Sequence, residues 1–189
     1  MSNSTIQDIH DECLIRTQRI IRKLGWLDIE VSSVTDKDAF LLYQGFPGMR
    51  LNWRWGMQTY AGYPEDGILD IKLKIVSRDD PDGLHAVIIC KYDEQTDEFG
   101  IGMVENFLAR EMTVLTGKVL LIAFIYSTVF CPRVELKQIF IYDPDPALIP
   151  KYESYGFSLL QGNHNKMKAT VREVQEIALR KVNELPPES

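Results

Sequence analysis

The residues best suited to chemistry in this chain are one tyrosine and two glutamates near glycine-marked turns. Tyr152 lies in the segment 151–157, Lys-Tyr-Glu-Ser-Tyr-Gly-Phe. A phenol with a pKa of about 10 can protonate a leaving group at neutral pH. Glu105, in an apolar, strand-like run, carries a carboxylate that could act as a general base, and Glu111 is a weaker candidate. These side chains predict acid–base chemistry.

A glycine before a long apolar run marks a second candidate site, suited to a diphosphate. Gly117 precedes the run Val119–Cys131, which predicts a buried helix. The first amides of a helix have no acceptor within the helix, and together with the helix dipole they attract phosphate groups. The hydroxyl groups of Thr113 and Thr116 and the ammonium group of Lys118 could add contacts.

From Ile68 to Thr170 the order of elements resembles that of GNAT-type N-acetyltransferases, which use acetyl-CoA. Strand-like runs are followed by a glycine turn, the apolar helix, another strand and a short helix that ends at a glycine. In the family this short helix carries Asn-x-x-Ala-x-x-x-Tyr-Glu-x-x-Gly-Phe. Residues 145–157 depart from that pattern at Asp145 and Leu148 and match it at Tyr152, Glu153, Gly156 and Phe157.

The diphosphate loop of the family is matched at one position. The family has Gln/Arg-x-x-Gly-x-Gly/Ala, and of residues 112–117 only Gly117 fits. Met112 stands in place of Gln or Arg, and Leu115 stands in place of the first glycine. A side chain at that position limits how closely a ligand can approach the backbone. Backbone amides do not depend on the side chain, so the loop stays a candidate.

The resemblance implies an α+β fold in which a mixed, mostly antiparallel central sheet is flanked by helices. It also implies acetyl-CoA as cosubstrate and a primary amine, on a small molecule or a peptide, that attacks the thioester directly. By resemblance, Tyr152 protonates the departing thiolate, and Glu105 is the candidate base. The residues expected to bind acetyl-CoA are Phe107, Leu108, Met112, Thr113, Val114, Leu115, Thr116, Gly117, Lys118 and Asp145.

Two other functions stay open at this point. A GNAT-shaped module with an altered loop could bind a protein partner, or could bind CoA without turnover. The chain could also be an unrelated α+β domain. Thermal melting with acetyl-CoA, together with CoA release over a panel of amines, distinguishes the acetyltransferase from the binding module.

The sequence predicts a single domain over residues 1–189. Residues 1–67 hold an amphipathic helix and an aromatic segment that shape the acceptor side, residues 68–170 form the GNAT-like core, and residues 171–187 form a closing helix. The apolar stripe of the closing helix could pack on the sheet or support a homodimer. Pro132 is expected to end the long apolar helix.

Aromatic residues crowd into the segment 51–63. The odd-numbered positions of residues 51–57 are apolar, which predicts a strand with these side chains facing the core. The aromatic side chains could instead form the wall of an acceptor site or an interface patch. They are Trp53, Trp55, Tyr60 and Tyr63.

Composition limits the function classes. A net charge of -6 and a pI of about 5.1 argue against nonspecific binding of nucleic acid, which needs clustered Lys and Arg. Three widely spaced cysteines predict neither a disulfide framework nor a metal site. No signal peptide is visible, and the apolar run of residues 119–131 is too short to span a bilayer. The cytoplasm is the expected compartment, with no membrane partner.

Overall fold

The computed structural model describes residues 3–185, with side chains from Ile6 onward except that of His164. Residues 1–2 and 186–189 of the predicted domain lie outside the described residues. The helices are α1 Asn3–Lys23, α2 Asp36–Gln44, α3 Trp53–Thr59, α4 Val119–Arg133, α5 Ile149–Glu153 and α6 Val171–Glu184. The strands are β1 Ile29–Ser33, β2 Ile68–Ser77, β3 Ala86–Asp93, β4 Glu98–Asn106, β5 Gln138–Tyr142, β6 Ser158–Leu160 and β7 Asn163–Thr170. Short 3-10 turns cover Pro64–Asp66 and Pro146–Leu148.

One seven-stranded sheet, in the order β1-β2-β3-β4-β5-β7-β6, organises the described residues. Neighbouring strands are antiparallel except β4 and β5, which run parallel. Short connections join β2, β3 and β4, as antiparallel neighbours allow. The predicted α+β class, with a mixed and mostly antiparallel sheet flanked by helices, is confirmed.

Helices cover both faces of this sheet. The larger core contains residues of α1, α4 and α6 and alternate residues of β2, among them Leu69 and Ile71. The smaller core lies on the opposite face, where Leu42 of α2 and Trp53 of α3 pack with Val87 of β3. The alternation of apolar residues along the strands therefore builds two layers, one on each side of the sheet.

The long apolar helix forms where the sequence predicts it. Gly117 adopts a φ of +75° two residues before the first residue of α4, a conformation that glycine adopts without steric cost. Phe124, Tyr126 and Phe130 are fully buried, as expected for a helix that is apolar on all sides. The helix ends at Arg133 rather than before Pro132, because a proline in the last turn removes only one hydrogen bond.

The expectation of a strand in the segment 51–63 is wrong, because Trp53–Thr59 form the helix α3. The side chain of Asn52 caps the helix by accepting a hydrogen bond from the N–H of Trp55 at 3.0 Å. Trp53, Gly56 and Tyr60 are buried at helical spacing. The apolar residues of this segment fit both periodicities, and the asparagine cap favours the helix.

All three cysteines, Cys13, Cys90 and Cys131, are free and buried. They lie in the larger core, where a thiol behaves as a small apolar side chain. Within residues 3–185, no helix is long and apolar enough to cross a membrane.

A candidate active-site cleft

The candidate site lies where β4 and β5 separate. These strands pair only at Gly100 with Phe140 and at Ile101 with Ile141. Beyond this point β4 continues beside β3, whereas β5 ends at Tyr142. Among the described residues, no strand lies beside the other edge of β4 here. The backbone N–H and C=O groups on that edge therefore face an opening.

A β-bulge in β4 marks the start of the opening. Ile89 and Cys90 of β3 pair with Met103 and Ile101, so Gly102 has no partner of its own in β3. As a result Ile101 belongs to the larger core, while Met103 belongs to the smaller core on the opposite face. The bulge thus changes which layer the side chains of β4 face, at the point where β4 leaves β5.

The opening forms a cleft of about 550 Å³, a size that suits a small-molecule ligand. On one side it is lined by residues 101–105 of β4, by Leu120 and Phe124 of α4, by residues 141–145 and by Tyr152. Three segments of the polypeptide chain that are distant in sequence therefore meet at this cleft.

The aromatic segment closes the other side of the cleft. Trp55 and Tyr60 line it, and their rings make an edge-to-face contact with centroids 5.9 Å apart. Trp53 is fully buried in the smaller core, and Tyr63 is 69% exposed. Some of these aromatic side chains thus belong to the core, whereas others form a wall of the cleft.

Tyr152 of α5 lines the cleft and packs against the larger core. Burial raises the pKa of its hydroxyl above the ordinary value, and the nearby carboxylate of Asp145 raises this pKa further. Among the described residues, no other group forms a hydrogen bond with this hydroxyl. A phenol with a raised pKa stays protonated at neutral pH, which a general acid requires.

A capping side chain and prolines determine where the short helices before Tyr152 begin. Asp145 accepts a hydrogen bond from the N–H of Ala147 at 2.9 Å and begins the 3-10 turn. Pro150 lies in the first turn of α5, where its missing N–H has no cost. Gly156 follows with a φ of +95° and turns the chain toward β6. Asp145 also lines the cleft, and its contact with a cofactor stays a prediction.

The backbone amides of the predicted diphosphate loop are mostly bonded within the loop itself. The N–H groups of Thr113 and Leu115 donate to the hydroxyl oxygens of Thr116 and Thr113, at 2.9 and 3.2 Å. The N–H groups of Thr116 and Lys118 donate to the carbonyl oxygens of Thr113 and Leu115, at 3.1 and 3.0 Å. These four amides are therefore engaged, and a diphosphate would have to use other amides, such as those of Gly117 and of the first residues of α4.

The side chains of this loop point in different directions. Leu115 is fully buried, and Val114 is partly buried against the same core. Lys118 is buried, with its Nζ atom 5.3 Å from the centre of the Trp26 ring. Met112 is 89% exposed. The ammonium group of Lys118 thus lies against an aromatic ring inside the protein, so its contact with a diphosphate stays a prediction.

Phe107 and Leu108, the first residues of the predicted cofactor-binding set, are held by other contacts. The Phe107 ring packs edge-to-face on Phe46 and Trp53, with centroids 4.9 and 5.9 Å apart. The N–H of Leu108 donates to Oδ1 of Asn106 at 2.9 Å. The Phe107 side chain therefore belongs to the smaller core, on the face opposite α4.

Glu105 lines the cleft, but its carboxylate holds the chain that leads into α3. Oε1 accepts hydrogen bonds from the N–H of Leu51 at 3.0 Å and from the indole N–H of Trp53 at 2.8 Å. Oε2 accepts from the N–H of Arg50 at 2.8 Å. The side chain is 1% exposed. Protonation would compete with these bonds, so the geometry favours a positioning role, and general-base catalysis by Glu105 stays a prediction.

Sequence reasoning missed two residues at the far end of the cleft, Tyr142 and Asp143. The hydroxyl of Tyr60 donates to Oδ2 of Asp143 at 3.1 Å, and the hydroxyl of Tyr142 donates to Oε1 of Glu98 at 2.9 Å. Burial, together with the neighbouring carboxylates, raises the pKa of both phenols above the ordinary value. The sequence offered one signal that could have indicated this site, because the carboxylate of Asp143 comes directly after the strand-like run of residues 138–142.

Comparison with known proteins identifies the fold. The crystal structure of AtaTR bound with acetyl-CoA matches with a TM-score of 0.55 and 13% identity, over 79% of this chain and 98% of that chain. The KacTA–DNA complex matches with a TM-score of 0.54 and 12% identity, over 80% and 99%. Apo FdhC, a nucleotide-linked sugar GNAT, matches with a TM-score of 0.55 and 11% identity, over 84% and 96%. No protein-family model and no curated protein sequence matches the chain.

These likenesses establish the architecture. A chain that covers almost the whole of each neighbour at low identity shares its fold with them, while activity must be argued from the site. The predicted acyl-CoA N-acyltransferase-like fold is confirmed: the chain has the GNAT fold.

Proposed function

We propose that this GNAT-fold chain is an N-acetyltransferase that moves an acetyl group from acetyl-CoA to a primary amine. The observation that carries the proposal is the cleft between β4 and β5, which Tyr152 lines. The free edge of β4 presents backbone N–H and C=O groups at regular intervals, and these suit the amide groups of the pantetheine arm. The acceptor amine belongs to a small molecule or a peptide.

The residues of the cleft fit the steps of acetyl transfer. The neutral amine attacks the thioester carbonyl, the C–S bond breaks, and the hydroxyl of Tyr152 donates a proton to the departing thiolate. The nitrogen loses one proton as the amide forms, and this proton restores the phenol through solvent. Backbone N–H groups near the bulge at Gly102 lie on the free edge of β4, where they can stabilise negative charge on the carbonyl oxygen.

The second candidate function is binding without turnover, and the loop before α4 favours it. The buried Leu115 and the internally bonded amides leave fewer donors for a diphosphate than a glycine-rich loop would. Such a module would bind a protein partner, or CoA alone. One neighbour of this fold was solved with DNA, although a net charge of -6 disfavours nonspecific binding of nucleic acid to this chain.

Thermal melting with acetyl-CoA tests the proposed function. A ligand that binds only the native state stabilises it by about 2.7 kcal/mol at 100 times its Kd. For a domain of this size we expect the Tm to rise by roughly 5–10 °C. The same samples should release CoA thiol when primary amines are added. A rise in Tm without thiol release from any amine would favour the binding module.

Filling the cleft should abolish this stabilisation. Val104 lines the cleft on the free part of β4, and a Val104→Trp variant should lose the rise in Tm while it keeps the apo fold. Leu159→Trp is the matched control, because Leu159 lies on β6 and is 37% exposed. An unchanged rise in Tm for Val104→Trp would show that acetyl-CoA does not bind in the cleft.

A further inference from the structure

A second, polar cavity of about 570 Å³ adjoins the cleft. Tyr60, Tyr142 and Asp143 line both spaces, so these three side chains form the passage between them. The remaining wall of the polar cavity comes from Thr59 of α3 and from β3, β4 and β7 and their connections. Asp143 is exposed to solvent in this passage and can be reached from either side.

The two tyrosine rings pack closely against the backbone of β4. They stack with centroids 6.0 Å apart and an angle of 17° between their planes. An ideal Cβ at Gly100 would lie 2.3 Å from the Tyr142 ring, and one at Gly102 would lie 2.6 Å from the Tyr60 ring. Glycine at both positions therefore lets the rings pack directly on the strand.

The charged side chains around the polar cavity differ in their hydrogen bonds and ion pairs. Glu98 accepts a hydrogen bond from Tyr142 and pairs with the ammonium group of Lys166 at 2.5 Å. Oδ1 of Asp93 caps the turn that follows β3. Lys91 also lines the cavity. The carboxylates of Glu98 and Asp93 thus have structural partners.

Asp143 differs from these two carboxylates in its position, because it lines the cleft as well as the polar cavity. Among the described residues its carboxylate receives one hydrogen bond, from the hydroxyl of Tyr60 to Oδ2. Its backbone is fixed at a φ of +47° by a hydrogen bond from its N–H to the carbonyl of Asn165 at 2.7 Å. The second oxygen, Oδ1, is thereby held at the passage beside the two rings.

Aromatic faces next to a carboxylate form a suitable environment for an ammonium group. The chain itself provides an example, because Nζ of Lys166 lies 5.5 Å from the centre of the Tyr142 ring and pairs with Glu98. An acceptor that carries an alkylammonium group would find the same combination of ring and carboxylate at Tyr60 and Asp143.

We infer, on the basis of the proposed function, that a cationic primary amine enters through the polar cavity and that Asp143 receives its proton. The carboxylate of Asp143 takes one proton from the ammonium group, and the free amine nitrogen attacks the thioester carbonyl. When the C–S bond breaks, the thiolate takes a proton from Tyr152. The nitrogen then loses its second proton, and this proton reaches the ionised phenol through solvent and restores it. The products are the acetamide, CoA thiol and one released proton.

The test uses the full chain with acetyl-CoA and n-butylamine, 1,4-diaminobutane or Nα-acetyl-lysine amide as acceptors, and it follows release of CoA thiol. Asp143→Asn should lower kcat about 100-fold for the amine that the wild type uses best. The Kd for acetyl-CoA should stay within about twofold, which also shows that the variant is folded. Asp93→Asn is the matched control, because it removes a carboxylate from the same cavity, and it should change kcat less than about threefold.

The outcomes separate this inference from the proposed function. If Asp143→Asn keeps kcat within about threefold of the wild type, Asp143 is not the base. An equal loss of kcat in Asp93→Asn would indicate a general effect of the negative charge in the cavity. That result would also overturn the assignment of Asp143 as the base. A wild type that shows neither a rise in Tm with acetyl-CoA nor thiol release fails at the proposed function itself, before any variant is compared.

Discussion

Replacement of Tyr152 by phenylalanine should lower kcat about 1,000-fold while the Kd for acetyl-CoA stays within about twofold. The phenol is expected to protonate the departing thiolate, a contribution that falls within the range of about 100- to 10,000-fold for general acids. The ring lines the cleft and packs on the core, and phenylalanine keeps this packing. Steady-state kinetics of thiol release and equilibrium binding of acetyl-CoA measure the two quantities.

The pH dependence separates acid catalysis from a structural role of the same ring. Burial, followed by the effect of Asp145, raises the pKa of Tyr152, so the wild type should stay active at alkaline pH until this phenol ionises. Ionisation of the phenol should therefore give the kcat profile an alkaline limb, which is a decrease of kcat at high pH. In Tyr152→Phe this alkaline limb should be absent. A variant with full turnover, or with an unchanged alkaline limb, would exclude Tyr152 as the acid.

Glu105→Ala should destabilise the fold by about 4 kcal/mol, which is typical of removing one partner from a buried, hydrogen-bonded charged group. The substitution leaves the indole N–H of Trp53 and the amides of Arg50 and Leu51 without their acceptor. The segment into α3 should loosen, so the KM for the amine should rise more than the Kd for acetyl-CoA. Urea unfolding measures the loss of stability.

Glu111→Ala provides the control for this prediction. Glu111 is an exposed glutamate in the loop after β4, and its replacement should change stability by less than about 0.5 kcal/mol. A Glu105→Ala variant that is as stable as Glu111→Ala would contradict the positioning role. If its stability were unchanged and kcat alone fell, Glu105 would be the general base after all.

Much of the fold follows from local patterns in the sequence. The alternation along residues 68–76 predicts a half-buried strand, and β2 forms there. The uninterrupted apolar run after Gly117 predicts α4, because a helix without a polar face must be buried. The signature that ends at Phe157 predicts the short helix and the glycine turn of α5.

The parts that sequence reasoning missed depend on long-range contacts or on a single cap. Asn52 decides between strand and helix in a segment whose apolar residues fit both. The hydrogen-bond partners of Glu105 come from residues 50–53, more than fifty positions away in the sequence. The sequence alone therefore does not distinguish a buried glutamate from a solvent-exposed one. Tyr60 and Asp143 meet only because α3 and the end of β5 converge on one passage.

A crystal structure of the chain with CoA would show whether the cofactor binds in the cleft. We expect the pantetheine arm to lie along the free edge of β4 between Ile101 and Glu105. We also expect the sulfur atom to lie within hydrogen-bonding distance of the Tyr152 hydroxyl, and the diphosphate to contact the first amides of α4. CoA bound outside the cleft, or a sulfur atom remote from Tyr152, would contradict these expectations.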